Sequence, residues 1–139
     1  MNIYVSQIYQ EAGVNYPFTH RFQQFISKAI TERIVESERF AAQYGKDFDL
    51  IFRMSAKSDI AETEIKGPTV FKKDNDVEYT IFLPFRGDGY DSTSLYEVVK
   101  LLLSGIVHVL DELGFDSARV SDNADEIARH AIETPAMFE

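Results

Sequence analysis

Residues 94–113 read SLYEVVKLLLSGIVHVLDEL, and this stretch decides the fold of the chain. Its apolar residues recur at the spacing of an α-helix and cover most of the circumference. The main apolar stripe consists of Leu95, Val98, Val99, Leu102, Ile106, Val109, Leu110 and Leu113. The polar residues follow one narrow line, which consists of Glu97, Lys100, Ser104, His108 and Asp111. A helix that is apolar around most of its surface is buried on more than one side, so the pattern predicts a central helix over about 94–113.

The composition predicts one domain over residues 1–139 with a core of its own. The chain has 139 residues, of which 45% are hydrophobic and 13% aromatic. Chains of this length bury roughly 68% of their unfolded surface, which is enough for a core without cross-links. The absence of cysteine excludes disulfides, thiolate zinc sites and cysteine nucleophiles. The apolar stretches are too short and too interrupted for a signal peptide or a membrane span, so we expect a cytoplasmic protein.

The charge distribution favours a protein partner over nucleic acid or membrane. The formal net charge is −9, and residues 101–139 hold eight acids but only two bases, Arg119 and Arg129. Nucleic acids and anionic membranes attract basic surfaces, so neither is expected as a partner. An acidic surface either serves solubility alone, which is the commoner reason, or attracts a basic partner protein.

Further helices are predicted before and after the central one. A helical stripe covers 22–35, and Thr19 is its expected N-cap. The stripe continues past a break near Ser37 and stops at Gly45, a residue typical of helix C-termini. A shorter stripe predicts a last helix over 124–132.

Strands are expected where β-branched and aromatic residues alternate with polar ones. The expected strands lie within 1–16, Phe48–Met54, Thr63–Ile65, Thr69–Lys73, Val77–Phe85 and Phe115–Val120. Asp74-Asn75-Asp76 has turn chemistry between two of them and predicts a hairpin. The alternation is one-sided, which is typical of a sheet with one covered face. The order of elements predicts an α+β fold, with a small antiparallel β-sheet and the helices packed on one of its faces.

Histidine is the first candidate for chemistry. His108 precedes Glu112 by one helical turn, a spacing at which a carboxylate could orient a general base. Residues at this spacing more often form a local pair at the protein surface, and we favour that interpretation for His108 and Glu112. His130 follows Glu126 by one turn, but two metal ligands on one helix need a third from elsewhere. The alternative function is a small-molecule-binding α+β domain or minor enzyme with a pocket near His108.

Two loops contain acids at close spacing. Asp88, Tyr90 and Asp91 lie in the turn-rich segment before the central helix, where they could meet a partner. The segment 74–78 is similar to a calcium loop but lacks the required Gly and Glu, so a turn is favoured. No phosphate-binding loop and no nucleophile-elbow motif is present in the sequence. We therefore expect no cofactor, no metal and no catalytic residue.

The acids around the end of the central helix are the candidate binding residues. They are Asp111, Glu112, Asp116, Asp122, Asp125 and Glu126. If the end of the central helix and the start of the last helix are close in space, these acids form one negative patch. Such a patch accelerates association with a basic partner and disfavours wrong partners.

The chain is acidic and cysteine-free, and its predicted fold is α+β. It has two aromatic strands, Phe48–Met54 and Val77–Phe85, and the acidic segment 111–126. In these features it resembles the small immunity proteins of bacterial polymorphic and contact-dependent growth-inhibition toxin systems. The resemblance implies a non-enzymatic inhibitor that masks a cognate toxin, often a nuclease. It implies binding through exposed acids and aromatic residues such as Tyr90 and Tyr96. A structural subunit is a third class, and an exposed apolar patch around Phe40 and Tyr44 would favour it.

Overall fold

The computed structural model describes residues 1–8, 18–57, 60–84 and 92–134. The elements in these ranges alternate between strands and helices. They are β1 (Ile3–Gln7), α1 (His20–Thr31), α2 (Glu38–Tyr44), β2 (Asp49–Lys57), β3 (Glu64–Phe71), β4 (Asp76–Pro84), α3 (Ser92–Glu112), α4 (Ala118–Asp122) and α5 (Ala124–Glu133). The predicted central helix is therefore confirmed as α3, which begins two residues earlier than expected.

The four strands form one sheet in the order β1-β2-β4-β3. The α+β class and the β3–β4 hairpin are confirmed. The expectation of an antiparallel sheet was wrong, because β1, β2 and β4 are parallel and only β3 is antiparallel to β4. α1 and α2 carry the chain back between β1 and β2, as a parallel pair requires. Side chains alternate in the same way along both kinds of strand, so the sequence pattern could not reveal the direction.

One face of the sheet forms the core with the helices. Leu50, Phe52 and Met54 of β2 and Val77 and Ile81 of β4 are buried, while their neighbours on the opposite face, apart from buried Ser55, are partly exposed. α1 packs on β1, and α3 packs on β4 and on α5. The buried apolar residues of both layers form one continuous cluster. The predicted arrangement, with helices on one face, is therefore the observed one.

The chain leaves α3 through a glycine-dependent turn. Gly114 has φ +87°, its N–H donates to the Asp111 carbonyl (3.1 Å), and the Phe115 N–H donates to the Leu110 carbonyl (2.9 Å). This pair of bonds is the Schellman arrangement that ends many helices. The strand expected in 115–120 was wrong, because the chain turns at once into α4. What remains of strand pairing is a single bridge between Asp116 and Val35.

Candidate functional site

The structure divides the six candidate acids into two groups. Asp125, in the first turn of α5, lies beside Tyr96 and Lys100 in the first half of α3. Asp111 follows Lys100 by eleven residues, a distance of about 17 Å along a helix that rises 1.5 Å per residue. The end of α3 and the start of α5 are therefore apart, and the six acids do not form one compact patch.

The acids at the end of α3 have partners within the protein. Asp111 accepts a hydrogen bond from the Ser117 hydroxyl, which links α3 to the start of α4. The Glu112 carboxylate lies 3.1 Å from His108 Nε2, and its backbone carbonyl accepts a hydrogen bond from Arg39 of α2. Cations that meet the last carbonyls of a helix also offset its negative end. We therefore interpret Asp111 as a residue that links α3 to α4, while Glu112 contributes its backbone carbonyl and an exposed pair with His108.

Ser37 joins two helix ends in the same region. Its hydroxyl oxygen accepts from the Phe40 N–H (3.0 Å) as the N-cap of α2 and donates to the Leu113 carbonyl (2.7 Å) at the end of α3. Ser37 is 5% exposed, so both bonds are shielded from water. The capping role was predictable from the sequence. The second bond was not, because it joins residues 76 positions apart.

Asp125 holds α5 against α3. It accepts a hydrogen bond from the Tyr96 hydroxyl and lies 3.9 Å from Lys100 Nζ and 3.0 Å from Arg129 Nε. Its charge is therefore balanced locally. Tyr96, a candidate contact residue, is half-buried and engaged in the same interaction.

Four of the six candidate acids have no cation within 4 Å among the described residues: Asp111, Asp116, Asp122 and Glu126. Asp111 accepts a hydrogen bond from the Ser117 side chain, and we call the other three the open acids: Asp116, Asp122 and Glu126. Asp116 also accepts a hydrogen bond from the Ala118 N–H (3.1 Å) at the start of α4. Asp122 ends α4, and Glu126 lies in the first turn of α5. The open acids therefore follow one continuous stretch of chain around α4 and α5.

A surface groove runs between α1 and α5 next to Glu126. Its volume is about 340 Å³. It is lined by Phe25, Lys28, Ala29, Glu32, Arg33, Glu126, Ile127 and His130. Ala29 and Ile127 are buried and form its apolar base. Sequence analysis missed the groove, because stripes of apolar residues show that two helices pack but not which two.

His108 and His130 both lie at the protein surface. His108 and Glu112 are 64% and 61% exposed at their side chains, as expected for a local surface pair. Three grooves described by the structure, including the one between α1 and α5, are lined by other residues than His108. The His130 ring lies against Phe25, with the ring centroids 4.9 Å apart.

The acids near the β3–β4 turn crowd one another. Burial, followed by the charges of Asp74 and Asp49, raises the pKa of Asp76. Across the ranges that the structure describes, no group of three acidic, histidine or cysteine side chains is arranged to hold a metal ion. The segment 74–78 forms the hairpin turn and the start of β4, as favoured from its sequence.

Two predicted features remain: the acidic loop before α3 and the apolar patch around Phe40 and Tyr44. Asp88, Tyr90 and Asp91 lie outside the described residues. Phe40 is 2% exposed and Tyr44 is half-buried, so the apolar patch that would favour a structural subunit does not lie there.

Comparison of the chain with protein-family models, curated proteins and solved structures gave no match. None of the helices in the described ranges combines the length and apolar character needed to cross a membrane.

Proposed function

We propose that this protein is a non-enzymatic binding protein that neutralises a basic partner protein through the open acids. The observation that carries the proposal is the difference among neighbouring carboxylates. Asp111, Glu112 and Asp125 have side-chain partners within the fold, whereas Asp122 and Glu126 have no cation within 4 Å among the described residues. Unbalanced surface charge produces the long-range field that steers an oppositely charged protein.

The resemblance to small bacterial immunity proteins suggests the class of partner. In this proposal the partner is a toxin domain such as a nuclease, whose substrate-binding surface is basic because it must attract phosphates. A mask for such a surface needs negative charge and a stable scaffold, and it needs no catalytic group. The net charge of −9 supports this assignment.

The test uses two charge-reversed double variants. Asp122→Lys with Glu126→Lys removes two open acids, while Glu62→Lys with Asp74→Lys makes the same charge change at exposed positions around β3. Asp125 is left unchanged because it holds α5 against α3. Tagged wild-type protein and both variants are used to capture partners from the source cells, and association rates are measured with the purified partner over a range of salt concentrations.

We expect wild type and the Glu62/Asp74 variant to capture the same basic protein at a one-to-one ratio. The Asp122/Glu126 variant should associate about tenfold or more slowly at low salt, with a smaller difference at high salt. The partner expressed alone should arrest growth, and co-expression of this protein should restore it. Equal association rates for both variants would contradict the proposed use of the open acids.

A further inference from the structure

The sheet face that points away from the helices, which we call the solvent face, has an apolar component of its own. Ile51 of β2 and Phe82 of β4 alternate with the buried residues of their strands and therefore point to this face. Tyr4 pairs with Ile51 across β1 and β2, and Phe71 pairs with Asp76 across β3 and β4, so both share the face. Tyr4 and Phe71 are 47% and 42% exposed. Exposed apolar groups gathered on one face mark an interaction site.

The charges of the solvent face are nearly balanced within it. Arg53 of β2 pairs with Glu78 of β4, and Lys57 Nζ lies 3.2 Å from Glu64 Oε2 of β3. The remaining charged residues of the face are Lys66, Asp49 and Asp76. Three bases against four acids leave a net charge of −1 on this face, whereas the whole chain has −9. A second acidic molecule is therefore repelled less here than by the chain as a whole.

The order of charges along two strands gives this face a direction. β2 begins with Asp49 and ends with Lys57. β3 begins with Glu64, and Lys72 and Lys73 follow its end. If two copies meet face to face with like strands antiparallel, the acidic start of each strand lies over the basic end of the same strand in the other copy. A two-fold axis across the strands produces this arrangement and makes every contact twice.

We propose that the solvent face binds a second copy of this chain and forms a symmetric dimer with the two sheets face to face. A second copy is the occupant because the face is complementary to itself and nearly neutral, whereas a basic partner is attracted by the open acids. The strands of 5, 9, 8 and 9 residues cover roughly 500 Å², at about 3.3 Å per residue and 4.8 Å per strand. Stable interfaces use about 800 Å² per partner, so we expect a weak dimer with a Kd on the order of 100 µM.

The first test is sedimentation velocity of the purified chain from about 10 µM to 1 mM, which requires no partner. Tyr4→Ser with Phe71→Ser removes the exposed aromatic rings of the solvent face. The matched control is Val35→Ser with Leu101→Ser, because these side chains are 60% and 40% exposed but lie between α1 and α2 and on α3. We expect the wild type and the control to dimerise alike and the Tyr4/Phe71 variant to associate about tenfold more weakly.

The second test exchanges the charges of an ion pair. Lys57→Glu with Glu64→Lys preserves the net charge and allows the two side chains to pair within the chain. In the antiparallel dimer, however, each exchanged charge lies over a like charge of the other copy. We expect dimerisation to weaken about tenfold at low salt and less at high salt. The control is Lys28→Glu with Glu32→Lys, the same exchange in a pair on α1, and it should dimerise as the wild type does.

Each result has a fixed meaning. A wild-type chain that remains a monomer at 1 mM would overturn the dimer, whatever the variants do. Equal weakening in the Tyr4/Phe71 variant and its control would exclude the solvent face as the interface. Equal dimerisation of the two charge-exchanged variants would exclude the antiparallel arrangement. Melting curves show whether each variant is folded, and none of these measurements depends on the proposed function.

Discussion

The end of α3 and the outer side of α4 and α5 are both rich in exposed acids, but they differ in what surrounds those acids. At the end of α3, Asp111 and Glu112 meet Ser117, His108 and the neighbouring helix α2. Around α4 and α5, the open acids have no cation within 4 Å among the described residues. Residue type and exposure are the same in both regions. The difference teaches that local partners, and not acidity itself, separate a stabilising carboxylate from one that is available for binding.

The same contrast occurs between two adjacent residues of α5. Successive residues of a helix are about 100° apart around its axis, so neighbours face different surroundings. Asp125 meets Tyr96 and Lys100 of α3, whereas Glu126 faces the groove against α1. The comparison can be tested by substitutions in both regions.

The largest effect is expected at the turn that ends α3. A Cβ at Gly114 would lie 2.8 Å from Ser37 Oγ, and the φ of +87° disfavours any L-residue. We expect Gly114→Ala to lower the free energy of unfolding by about 3 kcal/mol, measured by urea denaturation. In a Ser37→Ala background the loss should be about 1 kcal/mol smaller, because the nearest contact is gone and only the side chain of Arg39, at 3.1 Å, remains close. Equal losses in both backgrounds would show that Ser37 does not constrain Gly114.

Ser37→Ala itself should have the second largest effect. The change removes the cap of α2 and leaves the Leu113 carbonyl without its hydroxyl partner in a buried place. We expect a loss of about 2 kcal/mol in the free energy of unfolding. Ser121→Ala, on the exposed side of α4, is the matched control and should stay within about 0.5 kcal/mol of wild type. A similar loss in both variants would remove the distinction between the two regions.

Substitutions of Asp125 and Asp122 compare an acid that has partners within the fold with an open acid. Asp125→Ala breaks the contacts with Tyr96, Lys100 and Arg129, and because these groups are about half exposed we expect a loss of only about 1 kcal/mol. Asp122→Ala should leave thermal unfolding nearly unchanged while it slows association with the proposed basic partner. If Asp122→Ala destabilised the protein as much as Asp125→Ala, Asp122 would have to be counted as a structural residue.

His108→Gln tests the alternative function. The pair with Glu112 is solvated on both sides, so the substitution should change the free energy of unfolding by less than about 0.5 kcal/mol. It should also leave partner association unchanged. If the variant kept its stability but lost affinity for a small molecule, a pocket near His108 would be favoured instead.

The smallest effect on stability is expected for a substitution of Asp76, which lies among other acids near the β3–β4 turn and outside both regions. Because burial and the charges of Asp74 and Asp49 raise the pKa of Asp76 above 3.8, the folded state binds a proton more readily than the unfolded state. Stability therefore falls as the pH rises from below 3.8 through this higher pKa. Asp76→Asn should be slightly more stable than wild type at neutral pH, and the gain should vanish below pH 3.8. A gain that did not depend on pH would rule out charge as its cause.

Much of the fold could be predicted from the periodicity of apolar residues and from residues typical of helix ends. The apolar stripe of 94–113 predicted α3, and Thr19, Ser37 and Gly45 marked helix ends that the structure confirms. These signals are local, because a helix or a cap is decided by residues within one or two turns. The direction of β1 relative to β2 and the form of 115–120 were not predictable, because they depend on where the chain returns after α2 and after Gly114.

The sequence by itself determined that the chain is acidic, rich in core residues and built from these helices and strands. Which acids are open was decided only by tertiary structure. Asp125 and Glu126 are adjacent in the chain and alike in charge, and only the packing of α5 between α3 and α1 gives one of them Tyr96 and Lys100 as partners and the other a groove. The reason is physical: the state of a surface carboxylate depends on groups within a few ångströms of it, and these groups come from distant parts of the sequence.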